Sequence, residues 1–165
     1  MRILAVDPGE KRLGIAISDP SGTIANPLSV LKHISRPVDA ASIAQIAEDN
    51  QAGQIVVGQA LDTENQPTLQ SRQAAHLAEA IHQQTALPVV LWDETGSTQA
   101  ARAARIAMGA SRRKRRGHLD DLAATYILQT YLDAQSVGQE PDRLESDKQA
   151  SDGQESDDQQ SDLPA

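Results

Sequence analysis

The segments QIVVG at 54–58 and LPVVLWDE at 87–94 are apolar at consecutive positions, the pattern of strands covered on both faces. Strands of that kind need helices packed above and below them. Helical spacing is present nearby, in Ala40, Ile43, Ala44, Ile46 and Ala47 at 39–50 and in Ala74, Leu77, Ala78 and Ile81 at 70–84. Ahead of these, RILAVD (2–7) and RLGIAIS (12–18) read as two strands joined by the turn PGEK. A third extended segment, 22–31, contains Pro27, which has no N–H for a sheet ladder and so predicts an edge strand or a bulge. An Ala-rich helix over 98–108 and a last helix over 119–133 complete the order βββ-α-β-α-β-α. Hairpin-linked strands followed by crossovers predict an α/β fold, a mixed sheet with helices on its faces.

A chain of 165 residues has room for one domain with a real core. One Trp, two Tyr and no Phe leave that core to Ala, Ile, Leu and Val, and zero Cys excludes disulfides, thiolate zinc sites and a Cys nucleophile. No apolar run approaches the roughly 20 residues of a bilayer span, and Asp7 interrupts the N-terminal apolar stretch, so a cytoplasmic protein is expected. The net charge of −8 is unevenly spread. Residues 136–165 carry nine acids and two bases, whereas residues 1–135 carry 14 acids and 13 bases. The acidic stretch has almost no large apolar residues, and ordering it would cost more entropy than its burial returns. The expectation is a folded domain over 1–134 and an acidic, disordered tail over 135–165. That tail either solubilises the chain or competes with an anionic ligand for basic residues.

Three acidic positions fall at element ends. Asp7 ends the first strand, Asp93 and Glu94 end the last, and Asp120 and Asp121 open the final helix. Carboxylates brought together from distant parts of a chain repel, and a hard divalent cation is the common way to hold them. Mg²⁺ or Mn²⁺ in such a set activates water against a phosphodiester. Strand alternation separates Asp93 from Glu94 without saying which faces the site. On the helix, Leu119, Leu122, Ala123, Tyr126 and Ile127 define an apolar face that puts Asp120 at its margin and Asp121 nearly opposite. Asp120 is the better candidate.

Seven bases and no acid lie between Arg102 and Arg116. Arg112, Arg113, Lys114, Arg115 and Arg116 directly precede Asp120, with Lys11 and Arg12 just after the first strand. Such runs bind phosphate backbones through counterion release, and without aromatic residues nearby base stacking does not dominate. A structured nucleic acid is the expected partner. His33, His76, His82 and His118 have no metal-ligand spacing. Trp92 is expected in the core beneath the strand-end acids, and Gly58 is expected to let the chain turn after its strand.

DPGEKRLGIAISD (7–19), IVVG (55–58), LPVVLWDE (87–94) and SRRKRRGHLDDLAATYILQTYL (111–132) together resemble the YqgF/RuvX family. These are ribonuclease H-like proteins described as Holliday junction resolvases and as nucleases that mature the 5′ end of pre-16S rRNA. The resemblance covers Met1 to about Asp133. It implies a five-stranded mixed sheet of order 3-2-1-4-5, and an acidic set at Asp7, Glu94 and Asp120 serving catalysis and Mg²⁺ or Mn²⁺ binding, with Asp93 as a further candidate. It also implies a metal-dependent nuclease on pre-rRNA, with branched DNA as the second substrate, acting as a monomer or homodimer. Thr95 and Gly96 stand where members carry Arg and Leu, and GQALDTENQP (58–67) stands where a Gly-Leu/Met-Pro-Leu pattern is typical. A non-catalytic nucleic-acid-binding protein on the same scaffold is therefore the alternative. Asp7, Pro8, Gly9 and Gly14 also resemble the first phosphate loop of actin-like ATPases and sugar kinases, which need a second domain and a second Gly-rich motif.

Overall fold

The computed structural model describes residues 1–61, 64, 66–93, 119–136 and 142–143. Strands β1 (Arg2–Pro8), β2 (Arg12–Ser18) and β3 (Ala25–Lys32) form an antiparallel meander. Helix α1 (Arg36–Asp49), strand β4 (Ala52–Gln59), helix α2 (Leu69–His82), strand β5 (Val89–Asp93) and helix α3 (Leu119–Ser136) follow. β4 and β5 add in parallel beyond β1. The expected order 3-2-1-4-5 is present, and a two-residue strand β6 (Asp142–Arg143) extends it antiparallel to β5. β6 comes from the stretch expected to be tail, and α3 ends two residues beyond the expected domain limit. The expected helix over 98–108 lies outside the described residues. Among the described residues, no helix is long and apolar enough to cross a membrane.

Local chemistry sets the boundaries. β3 starts at Ala25 rather than 22 because Asp19 closes a loop ahead of it. The Asp19 carboxylate accepts from the Ser21 hydroxyl, from Ile24 N–H (2.9 Å) and from Thr23 N–H (2.8 Å). These bonds hold its carboxyl well below the usual carboxylate range. Pro27 sits on an edge strand, and the register slips there, with Ile15 opposite Ser29 and Ala16 opposite Pro27. α1 begins three residues before the expected start because Ser35 caps it and Pro37 occupies its first turn, where a missing N–H costs nothing. α2 opens on a capping box between Thr68 and Ser71.

The two sheet faces bury different side chains. α1 and α2 cover Leu4, Val6, Leu13, Ile15, Ile17, Ile55, Val57, Val89 and Leu91 with Ala40, Ile43, Ala74, Leu77, Ala78 and Ile81. Each large aliphatic among them contributes about 2 kcal/mol. Among the described residues, α3 covers Ile3, Ala5, Ala16, Val56 and Val90 on the other face, inserting Ala124, Leu128, Tyr131 and Leu132.

Candidate active site

The facing set fixes where each strand-end acid points. Ile3 and Ala5 lie under α3, and β1 stays regular through Pro8, so Asp7 continues the row on the α3 face. Val90 and Trp92 lie on that face too, while Val89 and Leu91 belong to the opposite one. Asp93 therefore falls on the α1–α2 face, where its Oδ1 accepts from Leu61 N–H at 3.5 Å. Glu94 lies outside the described residues.

Asp7 is half-buried between two glycines. Gly14 is directly opposite it on β2. On β4, Val57 pairs with Val6, which puts Gly58 beside Asp7, and Gly58 in turn pairs with Trp92. Both neighbouring strands thus present a glycine at the position beside it. Gly58, expected from sequence to let the chain turn after its strand, instead lies inside β4. A Cβ there would come within 2.6 Å of Ile127 Cδ1, so its role is to let α3 approach the sheet closely.

The direction of α3 follows from its contacts. Tyr131 accepts a hydrogen bond from Gln54 Nε2 (2.6 Å) near the start of β4, while Ile127 covers Gly58 near its end. Trp92 Nε1 donates to Thr130 Oγ1 (3.0 Å), and its ring meets Tyr131 edge-on with centroids 5.4 Å apart. α3 thus starts at the rim formed by the carboxyl ends of β1, β4 and β5, the rim that carries Asp7. The buried stripe is rotated from the expected one: Ala124, Ile127, Leu128 and Tyr131 are the most buried positions. At about 100° per residue, position 120 lies about 30° from the centre of that stripe and position 121 about 70°. The side chain of Asp120 is outside the described residues.

Cations share this rim. Lys11 and Arg12 are exposed, and Arg12 pairs across the sheet with Lys32, also exposed. Lys32 was not predicted, because only the β2–β3 register brings it beside Arg12. Arg112, Arg113, Lys114, Arg115 and Arg116 lie outside the described residues. Among the described residues, no group of three His, Asp or Glu could hold a metal ion; of the expected acidic set only the Asp7 side chain is described.

On the same rim but the α1–α2 face, a cleft of about 550 Å³ opens between the β1–β2 turn, the β3–α1 connection and α2. It contains an Asp39–His33 pair that sequence spacing did not reveal, because the two residues meet only across the start of α1.

A family model described as "RuvX: Holliday junction resolvase" matches residues 1–134. A protein of Thermoanaerobacter pseudethanolicus named "Putative pre-16S rRNA nuclease" is 38% identical over 136 residues, covering 82% of this chain and 98% of the relative. One of the same name from Syntrophus aciditrophicus is 37% identical over 141 residues, 86% of this chain and 94% of the relative. Among solved structures, Thermus thermophilus RuvC in complex with a Holliday junction substrate superposes with a TM-score of 0.58 at 16% identity, over 86% of this chain and 99% of that one. The fowlpox virus resolvase with Holliday junction DNA gives 0.52 at 15% identity, over 82% and 99%. At these identities the two structures speak to the fold, which is that of the RuvC-like, ribonuclease H-like resolvases.

Proposed function

The chain belongs to the RuvX family, and from that premise we propose that it is a nuclease hydrolysing phosphodiester bonds, with the 5′ region of pre-16S rRNA as substrate. The observation that carries the reading is Asp7, half-buried between Gly14 and Gly58 on the face and rim where α3 begins. Strand alternation continued one residue past Asp93 would turn Glu94 to the Asp7 face, and the helical repeat that buries Ala124, Ile127 and Tyr131 supports Asp120 as the third carboxylate. Three hard carboxylates converging there suit Mg²⁺ or Mn²⁺.

Asp7, Glu94 and Asp120 would hold the cation, which when bound supplies an activated water and neutralises charge on the phosphodiester. The chain's own residues do the positioning. Asp7 stands on a strand paired with β2 and β4, which fixes the backbone that carries its carboxylate. The flanking glycines leave room for a phosphate against it. Lys11, Arg12 and Lys32, with Arg112, Arg113, Lys114, Arg115 and Arg116, anchor the phosphate backbone on either side of the scissile bond. Asp93, on the other face, serves the loop after β4 rather than the reaction.

The experiment compares cleavage of a 5′-extended rRNA precursor and a four-way DNA junction in Mg²⁺, Mn²⁺ and EDTA. Metal-dependent cutting of the rRNA precursor is expected. Cutting of the junction alone would transfer the assignment to a resolvase, the description the family carries, and would call for a C₂ dimer to cut both strands. Salt-sensitive binding with no cutting of either would replace it with the non-catalytic reading, motivated by Thr95 and Gly96.

A further inference from the structure

The cleft on the α1–α2 face is built around a fixed imidazole. Asp39 is 4% exposed, in the first turn of α1. Its Oδ1 accepts from Ile34 N–H at 3.1 Å, and its Oδ2 lies 2.5 Å from His33 Nδ1. A carboxylate only accepts, so Nδ1 carries the hydrogen and Nε2 is left as the imidazole's second polar atom. That ring is 44% exposed and borders the cleft. The His33 backbone N–H is tied to Lys11 O at 2.9 Å, which fastens this element to the β1–β2 turn at the Asp7 rim. Nε2 makes no hydrogen bond among the described residues.

Arg36 also lines the cleft, is exposed, and has no ion-pair partner among the described residues. Two acids, Glu10 and Asp39, border the same space. Their charge works against a bare anion, so a phosphate alone gains little there. The remaining lining is of a different kind: Gln70 and Gln73, with amide side chains, and the apolar Leu13 and Leu77. Amides with two-way hydrogen bonding over an apolar floor suit the edge and face of a nucleobase. A volume of about 550 Å³ is ample for one nucleotide.

We propose that this cleft binds one nucleoside monophosphate unit. The phosphate lies at Arg36, a ribose hydroxyl donates to His33 Nε2, and the base lies against Gln70, Gln73, Leu13 and Leu77. The unit is either a nucleotide of a single-stranded extension that crosses the rim from the Asp7 face or a free mononucleotide. The inference rests on the reading that the chain handles nucleic acid, but its test needs no turnover.

The full chain, carrying Asp7→Asn so that nothing is cleaved, is titrated with adenosine 5′-monophosphate, ribose 5-phosphate and inorganic phosphate, following backbone amide resonances. Adenosine monophosphate is expected to shift residues of the β1–β2 turn, 33–36 and 70–77, and to bind about tenfold more tightly than either ligand lacking the base. Arg36→Ala, at an exposed position, is expected to weaken it about tenfold. Gln70→Ala with Gln73→Ala is expected to remove the preference for the base. A 5′-phosphorylated tetranucleotide that shifts the same amides more tightly than the mononucleotide identifies the strand as the source; equal affinity identifies the free nucleotide. No shifts in the cleft, or equal binding of all three small ligands, would overturn the proposal. Failure of cleavage in the unmodified chain would leave this outcome unchanged, so the two readings fall separately.

Discussion

The two faces of the sheet are built by different rules. The α1–α2 face is a core of branched aliphatics under two helices, with Leu4, Val6, Ile15, Ile55 and Val57 all fully buried. The α3 face carries small residues, Ala5, Ala16 and the glycines at 14 and 58, and admits α3 at close range. It also carries the polar pairs Gln54–Tyr131 and Trp92–Thr130. Aliphatic packing tolerates repacking when volume is kept, whereas a close approach held by missing Cβ atoms does not. The second face brings the start of α3 to the rim where β1 ends, and Asp7 lies on it.

Gly58→Ala puts the sharpest stress on that difference. The new methyl meets Cδ1, Cγ2 and Cγ1 of Ile127, a stiff, buried side chain, and the expected destabilisation is about 2 kcal/mol by denaturant unfolding. Adding Ile127→Val removes the nearest of those atoms and should recover part of the loss, giving a negative coupling in a double-mutant cycle. Simple additivity would show that α3 is not held by this contact.

Tyr131→Phe is a smaller perturbation. It leaves the buried Gln54 amide without its partner, at an expected cost of about 1.5 kcal/mol. Gln54→Leu in the same background should return most of it, since an apolar pair leaves nothing unsatisfied. No recovery would mean that the hydroxyl serves packing rather than hydrogen bonding.

The smallest effect belongs to the loop outside both faces. Asp19 has a carboxyl held below its ordinary value, so its stabilisation is present above the unfolded-state pKa and fades as pH falls toward the folded one. Asp19→Ala should lower the Tm slightly at pH 7, with the difference from the parent shrinking as pH falls below about 4. A difference that grows on acidification would contradict the assignment.

Much of this arrangement is legible in the residues. The runs at 54–58 and 87–94, the turn at Pro8 and Gly9, and Pro27 on an edge with a slipped register all follow from backbone chemistry. The stripe of Ala74, Leu77, Ala78 and Ile81 is buried as its spacing predicts. The phase of α3 was misjudged for a physical reason. Leu119, Leu122 and Tyr126 outweigh Ala124 in any hydrophobic pattern, yet close approach buries the small residue completely and leaves Leu122 half-buried. Alternation could divide Asp93 from Glu94 but not orient them, because orientation depends on which face receives α3. The Trp92–Thr130 contact puts Trp92 on the α3 face and so Asp93 on the other, and no local pattern encodes it. Gly58 looks like a turn residue until Ile127 is placed over it, and Lys32 and the His33–Asp39 pair emerge only from register and from the junction of β3 with α1.

In the proposed function the α3 face of the rim performs the chemistry and the α1–α2 face does not. Asp7→Asn and Asp93→Asn, measured side by side for cleavage of the 5′-extended rRNA precursor in Mg²⁺ and for melting temperature, test it directly. The prediction is a loss of at least roughly 10³-fold for Asp7→Asn at an unchanged Tm, and less than about threefold for Asp93→Asn. Equal losses from both, or a fully active Asp7→Asn enzyme, would contradict it.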